Sequence, residues 1–297
     1  MKMWLLRLHR WVALALSVPL MILFVTGLIL SFEPILIDNG AERASLSADQ
    51  VKTLIAKHDP DGKANTLMMR AYDGTASIGT RREGMKHIDL ASNEQIAAPG
   101  MVARLMQSSR QLHEHMLFNL SWLVIGSTIG LLFLIVVGVV MGWPRLRNSV
   151  SGWHKGAGWF GLPLLVLSPL TGLALAFGIS FSAPPPHIDG AAWPSLKEAV
   201  QVVGAKYDLS HLIWIRPRGG QMLARLDDGG EMKVFAVSRE ELLPTARNWP
   251  RLLHEGNWMG AGPALANAVT ALAFLVLLVT GAWIWARRTF RRRPARS

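Results

Sequence analysis

The chain of 297 residues contains no cysteine. Without thiols it can form no disulfide, no iron–sulfur cluster, no thiolate zinc site and no covalent C-x-x-C-H haem attachment. Any haem must therefore be bound without a covalent tether. Glycine-rich stretches are limited to short turns, and the sequence has no flavin or nicotinamide motif. A redox role would have to draw its electrons from another molecule.

Charged residues are missing from four long apolar segments, which lie at 11–32, 117–142, 156–182 and 260–286. Each is at least about 20 residues long, enough to cross the hydrocarbon core as a helix. The sequence therefore predicts an integral membrane protein with four transmembrane (TM) helices. The first segment is too long for the apolar part of a signal peptide and lacks a convincing cleavage site, so we expect it to be retained.

Carboxylates are missing from the short segments that precede the first span, join the second to the third and follow the fourth. These segments hold twelve basic residues, namely Lys2, Arg7, Arg10, Arg145, Arg147, Lys155, Arg287, Arg288, Arg291, Arg292, Arg293 and Arg296. Because short basic segments stay in the cytoplasm, we predict that both termini are cytoplasmic. Topology and anionic lipid explain the net charge of +11, so we exclude nucleic acid as a partner.

Motifs recur in two halves of the chain. A Thr-Gly-Leu sequence begins seventeen residues after His9 and again seventeen residues after His154, while His113 and His254 both lie in Leu-His-Glu sequences. In each long loop a serine-capped amphipathic helix precedes short strand-like runs. We therefore predict a membrane α-helical protein, a four-TM bundle built from two parallel repeats, each with a small outer α+β module.

Four histidines mark the ends of the predicted spans. His9 and His154 lie at the inner surface, His113 and His254 lie at the outer surface, and the repeat symmetry lets each pair face itself across the axis. Two imidazoles from opposite helices are the ligands that a six-coordinate haem iron needs, and bundle cores are common sites for them. The arrangement therefore predicts one haem at each membrane face.

Glycines on the histidine faces would leave room for a porphyrin. Gly27 and Gly172 each lie eighteen residues, or five helical turns, after an inner histidine, near the opposite leaflet. Gly138 fits the same pattern after the outer histidine, whereas Gly281 falls on the face opposite its histidine. Close helix packing in the membrane is an alternative role for these Thr-Gly pairs.

Other interpretations of the histidines remain open. His115 competes with His113, but the two point to nearly opposite helix faces, and the match to His254 favours His113. All four can instead be ordinary interfacial residues beside an aromatic belt. A metal-ion site is a weaker alternative, because the two pairs lie on opposite sides of the membrane and lack carboxylates. The remaining outer histidines are expected at the solvated surface: His58, His87, His187 and His211.

The ordered set of motifs resembles a known family. The stretches are LHRWVALALSVPLMILFVTGLILSF, LHEHMLF followed by GVVMGWPR, WHKGAGWFGLPLLVLSPLTGLALAF, and LHEGNWMGAGPALANAVTALAFLVLLVTGAWIWARR. Together they are similar to the PepSY-associated TM helix proteins, which include bacterial ferric-siderophore reductases. The resemblance covers nearly the whole chain. It implies a four-helix core in the bacterial inner membrane, two non-covalent b-type haems ligated by His9 with His154 and by His113 with His254, and periplasmic PepSY-like modules.

These inferences divide the chain into eight segments. They are TM1 with a cytoplasmic N-terminus at 1–32, a periplasmic module at 33–112, TM2 at 113–143, a cytoplasmic loop at 144–155, TM3 at 156–182, a second periplasmic module at 183–253, TM4 at 254–286 and a basic cytoplasmic tail at 287–297.

The expected function is transmembrane electron transfer to a periplasmic ferric chelate or siderophore, since reducing Fe(III) weakens its hold on hard oxygen ligands. The donor is expected to be membrane quinol or a cytoplasmic reductase. Four arginines near the outer pair are expected to attract an anionic chelate, bind haem propionates or anchor the interface: Arg104, Arg110, Arg247 and Arg251. Two alternatives are a haem-free membrane-anchored regulator or binding module, and a haem protein that passes electrons to the quinone pool. No catalytic side chain is assigned.

Overall fold

The computed structural model describes residues 2–80, 82–143, 147–184, 186 and 193–290. Its helices are α1 (Lys2–Ala15), α2 (Ser17–Leu30), α3 (Glu33–Arg43), α4 (Ala48–His58), α5 (Met101–His115), α6 (Ser121–Val140), α7 (Val150–Phe160), α8 (Leu162–Ala176), α9 (Leu196–Gly204), α10 (Trp249–Glu255) and α11 (Ala261–Phe290). Its strands are β1 (Thr66–Arg70), β2 (Thr75–Thr80), β3 (Gly84–Asp89), β4 (Gln95–Ile96), β5 (Leu212–Arg218), β6 (Gln221–Asp228), β7 (Glu231–Val237) and β8 (Leu242–Pro244).

Three helical stretches in the described residues are long and apolar enough to cross a membrane. They are Ser17–Arg43, which joins α2 to α3, then α6, and then α11. Helices α7 and α8 form a fourth candidate span if they are counted together, although they are bent by 63°. The protein is therefore a membrane-associated helical protein with three or four candidate spans.

The first and third apolar segments are each interrupted within the predicted helix. One break lies at Leu16, between α1 and α2, and the other at Gly161, between α7 and α8. Pro19 and Pro163 follow these breaks closely, and a proline has no backbone N–H for the carbonyl four residues earlier. The inner histidines therefore lie on short helices separate from the helices that carry Thr26 and Thr171.

The outer histidines lie on helices of their own rather than at the start of the long apolar helices. Helix α5 ends just after His113, where Met116 has φ 56°, and α10 ends just after His254, where Gly256 has φ 69°. These left-handed residues stop each helix. The spans expected at 113–143 and 254–286 are therefore each divided into an outer amphipathic helix and a long apolar helix.

The strands of the two long loops form a single eight-stranded antiparallel sheet, with the order β4-β3-β2-β1-β5-β6-β7-β8. Strands β1 and β5 join the two halves through the pairs Leu67↔Ile215 and Met68↔Trp214. The strands of the two predicted modules therefore belong to one continuous sheet. Each set of four strands would leave an edge with unpaired backbone groups, and pairing β1 with β5 satisfies both edges.

The sheet has one face covered by helices and one face turned toward α10. Helices α4 and α9, capped by Ser47 and Ser195 as predicted, pack on the first face over a core that includes Leu67 and Ile215. The second face carries Trp214 opposite Arg225. Because the side chain of Arg225 reaches α10, this face lies over the outer histidines.

Candidate functional site

The outer histidines face each other across the bundle. Their ring centroids are 6.0 Å apart, and the ring planes are inclined by 46°. Helix α5 packs against α2 and α10 packs against α8, which brings His113 and His254 together from opposite sides. A metal bound between two imidazoles at about 2 Å, with each centroid about 1 Å behind its nitrogen, separates the centroids by about 6 Å. The donor set and spacing therefore fit a shared metal centre such as haem iron.

Glycines allow these rings to lie close to the neighbouring helices. A Cβ placed on Gly27 would be 3.3 Å from Cε1 of His113, and a Cβ on Gly172 would be 3.0 Å from Cε1 of His254. Both distances are tighter than ordinary carbon–carbon contact. The two glycines therefore give each ring its position beside α2 and α8.

Threonines next to these glycines hold one nitrogen of each ring. Thr26 Oγ1 lies 3.0 Å from Nδ1 of His113, and Thr171 Oγ1 lies 3.2 Å from Nδ1 of His254. Each threonine hydroxyl donates its proton to a carbonyl of its own helix, so its oxygen accepts from the imidazole. We infer that Nδ1 carries the ring proton and that Nε2 keeps a lone pair, the form that binds a metal.

The inner histidines line one cavity of about 480 Å³. It lies between α1, α6, α7 and α11, and it is lined mainly by apolar and aromatic side chains together with His9 and His154. Three basic residues, Arg10, Lys155 and Arg288, also line it. An apolar cavity with two imidazoles and cationic groups fits a flat, largely apolar cofactor that carries carboxylates.

Gly281, which the sequence places on the face opposite His254, lies against the ring of His154 in the structure. A Cβ on Gly281 would be 3.4 Å from Cε1 of His154, and the preceding Thr280 has its Oγ1 2.9 Å from Nδ1 of His154. Gly138 lines the inner cavity, but a Cβ built on it would meet nothing within 4 Å among the described residues. Three of the four histidines therefore have a Thr-Gly pair on the adjacent helix.

Two stacked phenylalanines connect the inner and outer parts of the bundle. The rings of Phe24 and Phe274 are 4.7 Å apart and nearly parallel, with an angle of 6° between them. Both line the inner cavity and both belong to the core cluster that contains Met116, beside the outer pair. The sequence offered no signal for this pair, because neither residue belongs to a repeated motif.

Charged side chains connect the sheet to the outer pair. Glu255, which follows His254, is within 2.6 Å of both Arg225 of the sheet and Arg251 of α10. Burial raises the pKa of Glu255, but the two arginines outweigh burial and hold its pKa well below its ordinary value. The contacts of Glu255 thus couple the position of α10 to the sheet.

Three of the four predicted arginines have carboxylate partners. Arg110 pairs with Glu33, Arg251 with Glu255 and Arg247 with Glu231, whereas Arg104 is exposed.

Sequence reasoning missed the arginines of the sheet. Arg216 lies over the ring of Trp214 at 4.2 Å, and burial together with neighbouring arginines lowers its pKa. The face of the sheet that contacts α10 therefore carries arginines near the outer pair.

The other histidines have structural roles where they are described. His115 is 45% exposed, and its Nδ1 lies 3.0 Å from Oγ of Ser121. His58 is buried against Asn93 and His87 bonds to Ser77 at 2.8 Å, so the expectation of a solvated surface was wrong for His58. His187, Arg145 and the basic residues after position 290 lie outside the described residues. The described residues contain no cluster of three or more His, Asp or Glu side chains suited to a metal ion.

Paired histidines in an apolar helical bundle next to an antiparallel sheet define a membrane protein with a separate sheet domain. The chain belongs to the family described as the PepSY-associated TM region, whose model matches residues 6–288. This confirms the resemblance drawn from the sequence motifs. Comparison with curated proteins finds no match to the chain.

Proposed function

We propose that the protein binds two b-type haems, one between His113 and His254 and one between His9 and His154, and that it serves as a transmembrane electron carrier. Bound haem would supply one-electron redox chemistry, while the chain supplies ligands, orientation and an apolar environment. The observation that carries the proposal is the outer pair, with rings 6.0 Å apart and each Nδ1 held by a threonine.

The inner cavity supports the second site of this proposal. His9 and His154 would provide the ligands, and Gly138 and Gly281 line the space beside them. The basic groups that line the same cavity, Arg10, Lys155 and Arg288, would neutralise the haem carboxylates. Between the two sites, the stacked rings of Phe24 and Phe274 would fill the path with polarisable side chains.

The proposed architecture is a bundle of four spans made of two parallel repeats, with both termini in the cytoplasm of a bacterium. The mirrored strand order of the sheet supports the repeat. So do the corresponding helix contacts, in which α5 lies on α2 as α10 lies on α8. Under this topology the sheet and the outer pair lie on the periplasmic side.

The proposed acceptor is a periplasmic ferric chelate, such as a ferric siderophore, and the proposed donor is membrane quinol or a cytoplasmic reductase. The arginines around the outer pair favour an anionic acceptor, because Arg216, Arg225 and Arg251 outnumber the carboxylates that bond to them. The acidic partner Glu255 is shared by two of the three.

The test is the absorption spectrum of the purified protein, oxidised and reduced with dithionite, for the wild type and five histidine variants. We expect His9→Ala, His113→Ala, His154→Ala and His254→Ala each to lose about half of the haem, because each removes one ligand of one site. His115→Ala is the matched control and should keep two haems per chain. A reversed result for His113→Ala and His115→Ala would refute the assignment of the outer ligand.

A colourless wild-type protein from haem-replete cells would refute the electron-transfer proposal. It would favour a haem-free regulator in which the sheet binds an envelope partner. If haem is present, mixing the reduced protein with a ferric chelate in the absence of oxygen tests the acceptor. Rapid reoxidation supports ferric reduction, whereas reoxidation by quinone alone would indicate electron flow to the quinone pool.

A further inference from the structure

The four histidines occupy corresponding sites with one difference. Each ring faces a backbone carbonyl of the adjacent helix, three residues before a Thr-Gly or Val-Gly pair. The carbonyls that face His113, His254, His154 and His9 are those of Leu23, Ser168, Leu277 and Leu134, in that order. For His113, His254 and His154 the pair is Thr-Gly, and the threonine hydroxyl lies within 3.2 Å of Nδ1. At His9 the corresponding residue is Val137, which is buried.

The missing hydroxyl leaves His9 less firmly held than the other three. Its Nδ1 is buried without a hydrogen-bond partner in the described part of the chain. The carbonyl of Leu134 faces the ring but lies outside hydrogen-bond geometry. The glycine contact is also absent, because a Cβ on Gly138 would meet no atom of His9 within 4 Å. A buried donor without a partner is unfavourable, so the orientation of this ring is weakly fixed.

We propose that Val137 makes His9 the exchangeable ligand of the inner site, which an incoming small ligand can displace, while the other three histidines stay bound. The inference rests on the proposed haem binding and adds an asymmetry to it. Val137 acts as a positioning residue through His9. Small neutral ligands of ferrous haem, of the class of carbon monoxide, would therefore bind at the inner site and not at the outer one.

The experiment measures carbon monoxide binding to the dithionite-reduced protein in nanodiscs. Wild type should bind about one carbon monoxide for two haems. Val137→Thr should weaken that binding about fivefold, as expected if one hydrogen bond of about 1 kcal/mol now holds His9. Val136→Thr is the matched control, because it makes the same change on the adjacent, 59% exposed residue of α6, and it should bind as wild type does.

Two further measurements separate positioning from general packing. A stronger Nδ1 hydrogen bond makes an imidazole more electron-rich, so Val137→Thr should lower one of the two reduction potentials and leave the other unchanged. The reverse change, Thr26→Val, removes the hydroxyl that lies 3.0 Å from Nδ1 of His113, so it should open the outer site and raise the carbon monoxide bound toward two per chain. Both variants are nearly isosteric with wild type, and haem content checks their integrity.

The possible failures are distinguishable. If wild type and Val137→Thr retain two haems and bind carbon monoxide equally, or if neither binds it, the asymmetry is refuted while haem binding stands. If Thr26→Val binds no more than wild type, the role assigned to the hydroxyl is refuted. If wild type contains no haem, the proposed function and this inference both fail.

Discussion

Asp227 is a buried acid on β6 whose surroundings favour the protonated form. Its side chain is 2% exposed, and Oδ2 lies 3.8 Å from Nδ1 of His211. Burial and the neighbouring carboxylate of Asp38 raise the pKa of Asp227 to about 6, although His211 and a hydrogen bond from Gly230 oppose the change. Ionisation of this carboxyl at neutral pH therefore costs stability.

The first prediction concerns the pH dependence of this site. Because the folded pKa lies above the unfolded value of about 4, the folded state binds more protons between pH 4 and 6, and stability falls as pH rises through 6. Asp227→Asn mimics the protonated acid and keeps the oxygen that accepts from Gly230. We expect it to raise the free energy of unfolding by about 2 kcal/mol at pH 8 and by little at pH 4.

Thermal unfolding of the wild type and the variant at several pH values measures this effect. Asp228→Asn is the control, because Asp228 is the next residue of the same strand, is 35% exposed and pairs with Lys233. It should not flatten the pH dependence. An equal pH dependence for wild type and Asp227→Asn would show that another group is responsible.

The ring of His254 packs closely against the backbone of α8 at Gly172. A methyl group at Gly172 would lie 3.0 Å from Cε1 of His254. One at Gly126, an exposed glycine of α6 outside the inner cavity, would meet nothing within 4 Å in the described part of the chain. We therefore predict that Gly172→Ala displaces His254 and loses most of the outer haem, so that total haem falls toward half. Gly126→Ala should retain both haems.

Haem content per chain and the reduced spectrum check this pair of alanine variants. Both glycines lie within apolar helices, so alanine favours the helix equally at the two positions. An equal loss of haem from Gly126→Ala would mean that alanine in these helices, and not the ring contact, causes the loss. Equal retention in both variants would show that the ring contact of His254 is adjustable.

The sequence was sufficient to predict the helices but not their continuity. The apolar segments and the caps Ser47 and Ser195 follow from composition and local hydrogen bonding. Gly281 was misassigned because its face was counted from His254 along one unbroken helix, and the left-handed Gly256 resets that count. The contact of Gly281 with His154 depends on tertiary packing, which cannot be inferred from the spacing of residues within one helix.

The pairing of β1 with β5 across the two modules was not predicted, because strand pairing between distant segments has no local signal. The alternation of apolar and polar residues within a strand indicates which face of that strand is buried. The choice of β5 as the partner of β1 depends on how the helices bring the loops together. The roles of Phe24, Phe274 and Arg225 were missed for the same reason. Their partners are far away in the sequence.

The whole molecule joins the sheet to the histidine helices at several points. The N–H of Gly260 donates to the carbonyl of Gly230 at 2.9 Å, and the N–H of Met232 donates to the carbonyl of Asn257 at 3.0 Å. Together with the ion pair of Arg225 and Glu255, these bonds fix the β6–β7 hairpin to the segment between α10 and α11. A partner that binds the sheet would therefore act directly on the position of His254.

This coupling can respond to a periplasmic partner only if the sheet lies on the periplasmic side of the membrane. Because the chain contains no cysteine, single introduced cysteines can report the side on which each loop lies. We predict that Lys63→Cys and Glu240→Cys, one in each outer loop, react with a membrane-impermeant maleimide on spheroplasts. Asn148→Cys, in the exposed connection before α7, should react only after the membrane is permeabilised, because the proposed topology places the basic segments in the cytoplasm. The cysteine-free wild type is the control for unspecific labelling. Labelling of Asn148→Cys on intact spheroplasts, with protection of the other two, would invert the topology and place the outer pair and its acceptor in the cytoplasm.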